Sequence, residues 1–406
     1  MMKKTLCIVL ALMMVLSLAA CGGAKTEAPK TEEPKTEAPK TEAPKTEAPK
    51  AEEPKAEAPK AEEPKAEEPK APTYADLKYD GPAQDFVVNF TSAEQQNPIY
   101  IQAFNRITEK TDGKITFTFY YSGSLMAAAE TMDGLGAGMA DFSDVTLTNF
   151  KDQFPYTQQV LSYPFMGFTS MAMAADVIQD TVHANDVMMK EFTDVNIYPI
   201  IFNAVWGTTM ALADDVAVST PDTVKGLKLG TDDPNLSKFL NSIGATPTFV
   251  IPPDYYSSIT SGVVDGVING MNVINIFGGL QPSKHVYMFE NSASTSARCI
   301  AANLDTWNGL DDTLKTIFTE ELTGDQYWKE SVDYWTVSDQ KHLDDAKGWG
   351  IPVDYITGDA MQAWVDGVRP YGDEMLQALR DRGCDKTDEV LKIWEDAIAN
   401  YSGRFA

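Results

Sequence analysis

Histidine and cysteine are scarce in this 406-residue chain, which has three of the first and four of the second. His183, His285 and His342 each stand alone, with no second donor at helical spacing, so no metal site is foreseen and each reads as a surface or core-packing histidine. Cys7 and Cys21 sit near the N-terminus, and Cys299 and Cys384 lie too far apart in sequence to signal a disulfide framework. Catalytic signatures are missing too: the chain has no nucleophile elbow and no phosphate-cradling Gly-x4-Gly-Lys. Gly134-Leu135-Gly136-Ala137-Gly138 imitates a dinucleotide turn, but Met139 stands where the last glycine belongs and a helical stretch precedes it. Glu130 with Asp133, or Asp232 with Asp233, can be drawn as acid and base, yet nothing sets one carboxylate's environment against the other's. The expectation is a protein that is not an enzyme and needs no cofactor.

Positive charge is also in short supply. Setting aside the ten Lys and thirteen Glu of an N-terminal repeat and the two lysines before it leaves 21 Lys and Arg against 46 Asp and Glu. A body that acidic repels phosphate backbones and anionic lipid, which excludes nucleic acid as a partner. Long apolar runs number one, from Leu6 to about Leu18, after Lys3 and Lys4 and before Ala19-Ala20-Cys21. Two cations, a short apolar core and small residues ahead of a cysteine make up a bacterial secretion signal of the lipoprotein kind. Residues 1–20 are thus expected to be removed and Cys21 to carry the lipid, a tether to the membrane rather than a span. The alternative is an uncleaved anchor, for which the run is short against a hydrocarbon core of about 30 Å.

From Cys21 to Pro72 the chain has no aromatic residue and repeats units such as Lys25-Thr26-Glu27-Ala28-Pro29 and Lys65-Ala66-Glu67-Glu68-Pro69. Proline at that frequency forbids a continuous helix, and there is no apolar surface to bury. A hydrated stalk is expected, roughly 150 Å long if fully extended at about 3.1 Å per residue; recruitment of a partner by the repeat is the alternative.

The residues beyond 72 suffice for two lobes. Phe86 to Phe90, Ile115 to Tyr120, Asp141 to Val145, Ile197 to Val205, Lys225 to Leu229, Pro247 to Val250 and Asp265 to Asn269 read as strands. Helical patterns fall at Ile99 to Thr111, Ala127 to Ala137, Pro234 to Ile243 and Tyr255 to Thr260, with one long helix from Asp311 to Lys347 that Gly324 kinks. The alternation predicts an α/β fold of mainly parallel sheets. Aromatic and amide residues gather beside strand ends, where open α/β sheets present ligands: Tyr120-Tyr121, Tyr163, Phe165, Trp206, Tyr255-Tyr256 and the run Asn269-Gly270-Met271-Asn272. Core packing is the competing reading for each.

Several stretches, weak singly and collinear together, carry a resemblance. They are Thr108 to Ile115, Tyr121-Ser122-Gly123-Ser124-Leu125, Gly138-Met139-Ala140-Asp141, Tyr163-Pro164-Phe165, Gly226-Leu227-Lys228, Ile243 to Pro247, and Tyr256 to Gly266 with Asn269 following. In these the chain resembles the solute-binding proteins of tripartite ATP-independent periplasmic (TRAP) transporters, of the DctP type. The resemblance implies a two-lobed, periplasmic-binding-protein-like fold with a hinge, a long helix spanning both lobes, and a small-molecule solute closed between them. It further implies delivery to small and large TRAP membrane subunits. Lobe 1 is expected over 73–210, lobe 2 over 211–297, and a return to lobe 1 with the C-terminal helices over 298–406. Position by position, Asn269 matches a pocket asparagine, Tyr256 an aromatic wall, and Thr146 a polar residue after the third strand. Two arginines of the family are missing: Gly230 stands at one position, and Gly207, Thr208 and Thr209 around the other. Loss of a bidentate guanidinium weakens the case for a simple carboxylate ligand. Asp232 beside aromatic rings favours a neutral polyol or a cation instead. A ligand sensor coupled to a signalling receptor, or a hydrolase using Asp232 and Asp254, are the rival readings.

Overall fold

The structure is a computed structural model that describes residues 73–404, apart from Thr208 and the side chains of Trp206 and Gly207. The signal segment, Cys21 and the repeat lie outside the described residues. Among the described residues eleven strands form two sheets. The first takes β1 (Gln84–Asn89), β2 (Ile115–Tyr120), β3 (Phe142–Thr146), β4 (Ile197–Gly207) and, from late in the chain, Ser294–Asn303. The second takes β5 (Thr209–Leu212), β6 (Lys228–Thr231), β7 (Thr246–Phe249), β8 (Gly266–Asn269), β9 (His285–Phe289) and Val353–Ile356. With Ser294–Asn303 as β10 and Val353–Ile356 as β11, the orders are β2-β1-β3-β10-β4 and β11-β9-β5-β8-β6-β7.

Both sheets are mixed: most of the strand pairs are parallel, as expected, and antiparallel pairs interrupt each sheet. β1 pairs in parallel with β2 and β3, whereas β10 runs antiparallel to β3 and β4. In the second sheet β5 is antiparallel to both β8 and β9. The cause is the route of the chain. β4 carries it out of the first sheet, β5 continues in the second after Thr208, and β9 followed by β10 brings it back. Strands leaving and returning through one place must oppose each other. The β4–β10 and β5–β9 pairs therefore make a ribbon through both sheets, whose returning strands β9 and β10 are joined by the segment between Phe289 and Ser294.

Each sheet buries both faces, as α/β layers require. Val145, Phe202 and Cys299 face one cluster of the first sheet, while Phe86, Phe142 and Ile300 face the other, where Phe104 and Phe318 arrive from helices. In the second sheet Leu229, Ile268 and Phe289 pack against Phe239 and Trp364, and Val267 and Val286 pack against Tyr255 and Ile274 on the opposite side. Cys299 and Cys384 are both free thiols, Cys299 fully buried.

The long helix differs from its sequence expectation. Asp312–Thr323 and Asp325–Gly348 are separate helices that meet at Gly324, whose extended ψ of 174° ends one and opens the other. The second, of 24 residues, is about 36 Å long at 1.5 Å per residue. Its first turn buries Tyr327 and Trp328 in the first sheet's core, and its last turns place Leu343 and Ala346 in the second's. A single rigid element therefore bridges both lobes. Residues 298–406 are not confined to lobe 1: β11 completes the second sheet, and the helix Gly358–Asp381 packs Trp364 into the second lobe and Leu376 into the first.

Candidate ligand-binding cleft

Between the two sheets lies a cavity of about 400 Å³, the size that suits a small organic molecule. Three walls meet there. From the first lobe come Asn97, Tyr100, Asn203 and Arg298; from the second come Asn269, Asn272, Val273 and Ile276. The third wall is one face of the helix Asp325–Gly348, where Tyr327, Ser331, Tyr334, Trp335, Ser338 and Asp339 recur at intervals of three to four residues and so point the same way.

Arg298 is the one charged residue of β10, a strand otherwise made of small, apolar and amide residues. Its Nη2 donates to Asp144 Oδ2, to Asn97 Oδ1 at 3.1 Å and to Ser92 Oγ at 3.3 Å, while its buried Nε has no hydrogen-bond partner. Burial works against the guanidinium's charge, but the Asp144 carboxylate next to it prevails and holds its pKa above the ordinary arginine value. Asp144 is wholly buried in the middle of β3 and also accepts from Thr91 N and Thr91 Oγ1, both at 2.7 Å. Beside Arg298 the rings of Tyr100 and Tyr327 stack with centroids 6.2 Å apart, and both hydroxyls accept from Asn203 Nδ2, that of Tyr327 at 3.2 Å. Burial pushes both phenols up, so both stay neutral. Asn203 Oδ1 is buried and unpartnered.

On the second lobe Asn269 ends β8. Its Nδ2 donates to Tyr255 Oη at 2.8 Å and to Asp232 Oδ1 at 3.3 Å, and its Oδ1 accepts from Gly270 N at 2.8 Å. Asn269 thus faces the cleft with its orientation fixed from behind. Burial raises the pKa of Asp232.

The residues foreseen from sequence scatter around this cleft. Asn269 lines it, and Asp232 stands behind Asn269 without lining it. The backbone of Trp206 pairs with Thr295 in the first sheet; its side chain is outside the described residues. Thr146 ends β3 in register with Arg298. The other three stand away from the lining of the cleft. Tyr121 stacks on Phe90, centroids 5.8 Å apart, in the first lobe's cluster. Phe165 is buried in the second lobe's core against Phe239 and Phe289. Tyr256 is half exposed on the outer side of its helix, and its neighbour Tyr255, buried with Ile259 one turn on, is the tyrosine that reaches Asn269. Sequence reasoning passed over Arg298, Asn203 and the aromatic stripe of the long helix. A lone arginine in an apolar strand, and Tyr327, Tyr334 and Trp335 one and two turns apart, were the available signals.

Residues 91–378 match the family model described as bacterial extracellular solute-binding protein, family 7 (DctP). The chain belongs to this family. It is the family of TRAP periplasmic solute-binding proteins, so the chain is an extracytoplasmic solute-binding component and not an enzyme. Among curated relatives it is 20% identical to the ectoine-binding periplasmic protein TeaA of Halomonas elongata, over 79% of this chain and 84% of the relative. Among solved structures it resembles a TRAP periplasmic solute-binding protein from Desulfovibrio salexigens in an open complex, with a TM-score of 0.69 and 22% identity over 79% of this chain and 98% of the other. It also resembles a TRAP solute-binding protein of an unidentified marine microbe, specific for aromatic acids and bound to 3-hydroxybenzoate, with a TM-score of 0.68 and 16% identity over 80% and 100%.

Proposed function

We propose that this DctP-family protein captures one small organic solute between its lobes and hands it, chemically intact, to the small and large membrane subunits of a TRAP transporter. The carrying observation is the cleft itself, lined from both lobes and from the helix that bridges them. A solute touching all three walls makes more contacts when the lobes approach, and that differential contact is what shifts the population toward closure. The segment between Phe289 and Ser294, which joins the two sheets on the return path, is where the ribbon bends in this reading. In this reading lobe 1 spans 73–207 and lobe 2 spans 209–289, β10 returns the chain to lobe 1, and the residues after it run through both lobes.

In the same proposal Cys21 carries a lipid, and residues 21–72 form the stalk that lets the receptor stand clear of the membrane. The Halomonas relative's name gives ectoine as its ligand and the marine structure holds an aromatic acid, so small charged organic molecules are the class to search first. Thermal-shift screening of the purified protein, followed by calorimetry of the hits, is the test. One-to-one binding without turnover is expected; conversion of a bound compound would overturn the receptor reading. Acyl labelling of the wild type and of Cys21→Ser tests the tether, with label expected on the first alone.

A further inference from the structure

The asparagine that ends β8 meets the cleft with most of its hydrogen-bonding capacity already used. A carboxamide has four positions, two N–H donors and two lone pairs on oxygen. In Asn269 three are taken: Nδ2 donates to Tyr255 Oη at 2.8 Å and to Asp232 Oδ1 at 3.3 Å, and Oδ1 accepts from Gly270 N at 2.8 Å. The amide cannot be turned over, because that would set its own N–H groups against the Gly270 N–H. Neither Tyr255 nor Asp232 lines the cavity, so the donor side of the amide faces away from a solute. Asn269 is the one residue of β8 that is not buried, and a single lone pair of Oδ1 is all it has left to offer. The wall around it carries no cation, since Asn272, Val273 and Ile276 are the other lining residues of the second lobe.

We propose that Asn269 determines specificity as an acceptor, so that the cleft selects a solute presenting an O–H or N–H group to the second lobe. This rests on the receptor reading above and narrows it. A hydroxyl or an amine at that point completes the last lone pair of Oδ1. An ether oxygen or a methyl group in the same place leaves the lone pair desolvated and unpaired, which costs binding. A carboxylate does worse. It sets lone pairs against a lone pair, finds no N–H on Asn269 and no arginine at Gly230, and has the carboxyl of Asp232 directly behind the amide. A site built to hydrogen-bond one group of a solute rejects the analogue that lacks it. The wall of the first lobe holds Arg298, so an acid group elsewhere on the solute is compatible with the cleft.

Calorimetry with the purified full-length protein tests this on sets that share one carboxylate and one skeleton and differ only at the second group. 3-Hydroxyphenylacetate, 3-methoxyphenylacetate and 3-carboxyphenylacetate form one set; 4-hydroxybutanoate, 4-methoxybutanoate and glutarate form the other. Where the solute screen yields a tighter hit, that compound is compared with its own O- or N-methylated form. The donor-bearing member is expected to bind at least ~10-fold more tightly than its methylated and dicarboxylate counterparts, the worth of about one hydrogen bond. Asn269→Ala should cut that advantage to below ~3-fold by removing the acceptor, with the melting temperature of the solute-free variant as the check on its fold. A methylated or dicarboxylate compound that binds as tightly as its donor-bearing partner overturns the proposal and leaves the receptor reading standing. So does a tightest hit with no O–H or N–H group, or an advantage that survives Asn269→Ala. If no compound of any class binds, the receptor reading itself fails and the proposal with it.

Discussion

Removing the guanidinium of Arg298 should cost far more stability than removing a surface arginine, because of what it leaves behind. Asp144 is fully buried and the Arg298 side chain is 22% exposed. In Arg298→Met the carboxylate keeps its two bonds from Thr91 and loses its only cation. Stripping one partner from a buried pair costs about 3–5 kcal/mol. The Thr91 bonds and the partial exposure put this case at the lower end, about 3 kcal/mol. With about 330 ordered residues and an unfolding entropy of about 2.1 cal/mol/K each, that corresponds to a fall in Tm of about 4 °C. Asp144→Asn in the same background should restore part of the loss, since the uncompensated charge is then gone, with a coupling of about 2 kcal/mol in the double-mutant cycle. Urea denaturation of the four proteins measures it. A loss under about 1 kcal/mol for Arg298→Met, or strict additivity, would refute the argument that the pair is desolvated.

Other outcomes follow from the same structure. Glu191 accepts from Tyr156 N at 2.7 Å and Thr157 N at 2.9 Å, yet burial pushes its carboxyl up to about 7. Its folded pKa lies above its unfolded one, so the folded state favours the protonated form and stability falls as pH rises from about 4.5 to about 7, by about 3 kcal/mol; Glu191→Gln should flatten that slope in denaturation curves. A Cβ at Gly230 would lie 3.1 Å from Val250 Cγ2 and 3.2 Å from Val267 Cγ1. Gly230→Ala is expected to destabilise by about 1–2 kcal/mol through overpacking, and Gly230→Arg by more, so restoring an arginine there should not create a carboxylate receptor. Asn269→Ala leaves Tyr255 Oη and Asp232 without their amide; a cost of about 1–2 kcal/mol and a solute affinity at least ~10-fold weaker are expected by calorimetry, with the circular dichroism spectrum unchanged.

The parts of the fold that were legible are those where periodicity and punctuation agree. Ile115–Tyr120 alternates strictly, and Asp112 with Gly113, both at positive φ, makes the turn before it. Tyr255–Thr260 runs from Pro252-Pro253 to Gly262, whose φ of +72° favours glycine. Which pairs run antiparallel was not legible, because apolar runs look alike in parallel and antiparallel pairs and only the route of β9 and β10 decides. In the site, Asn269 stood out through its neighbouring glycine. The choice between Tyr255 and Tyr256 turned on helix phase: Ile259 lies four residues after Tyr255 and is buried on the same face, a spacing that picks the inner tyrosine. Arg298 lies in an apolar strand that carries no local binding pattern, away from the positions Gly230 and Thr208 where the family's arginines are missing. Its place in the cleft depends on Asp144, 154 residues away in sequence, a contact that no local pattern carries.

The most direct test of the central claim is a crystal structure of the protein with its tightest solute from the screen. The account predicts one molecule in the cleft, in contact with Asn269 or Asn272 from one lobe, with Arg298 or Asn203 from the other, and with the Tyr334–Asp339 face of the bridging helix, the lobes drawn together around it. A solute bound anywhere outside that cleft, or held by one lobe alone, would contradict it.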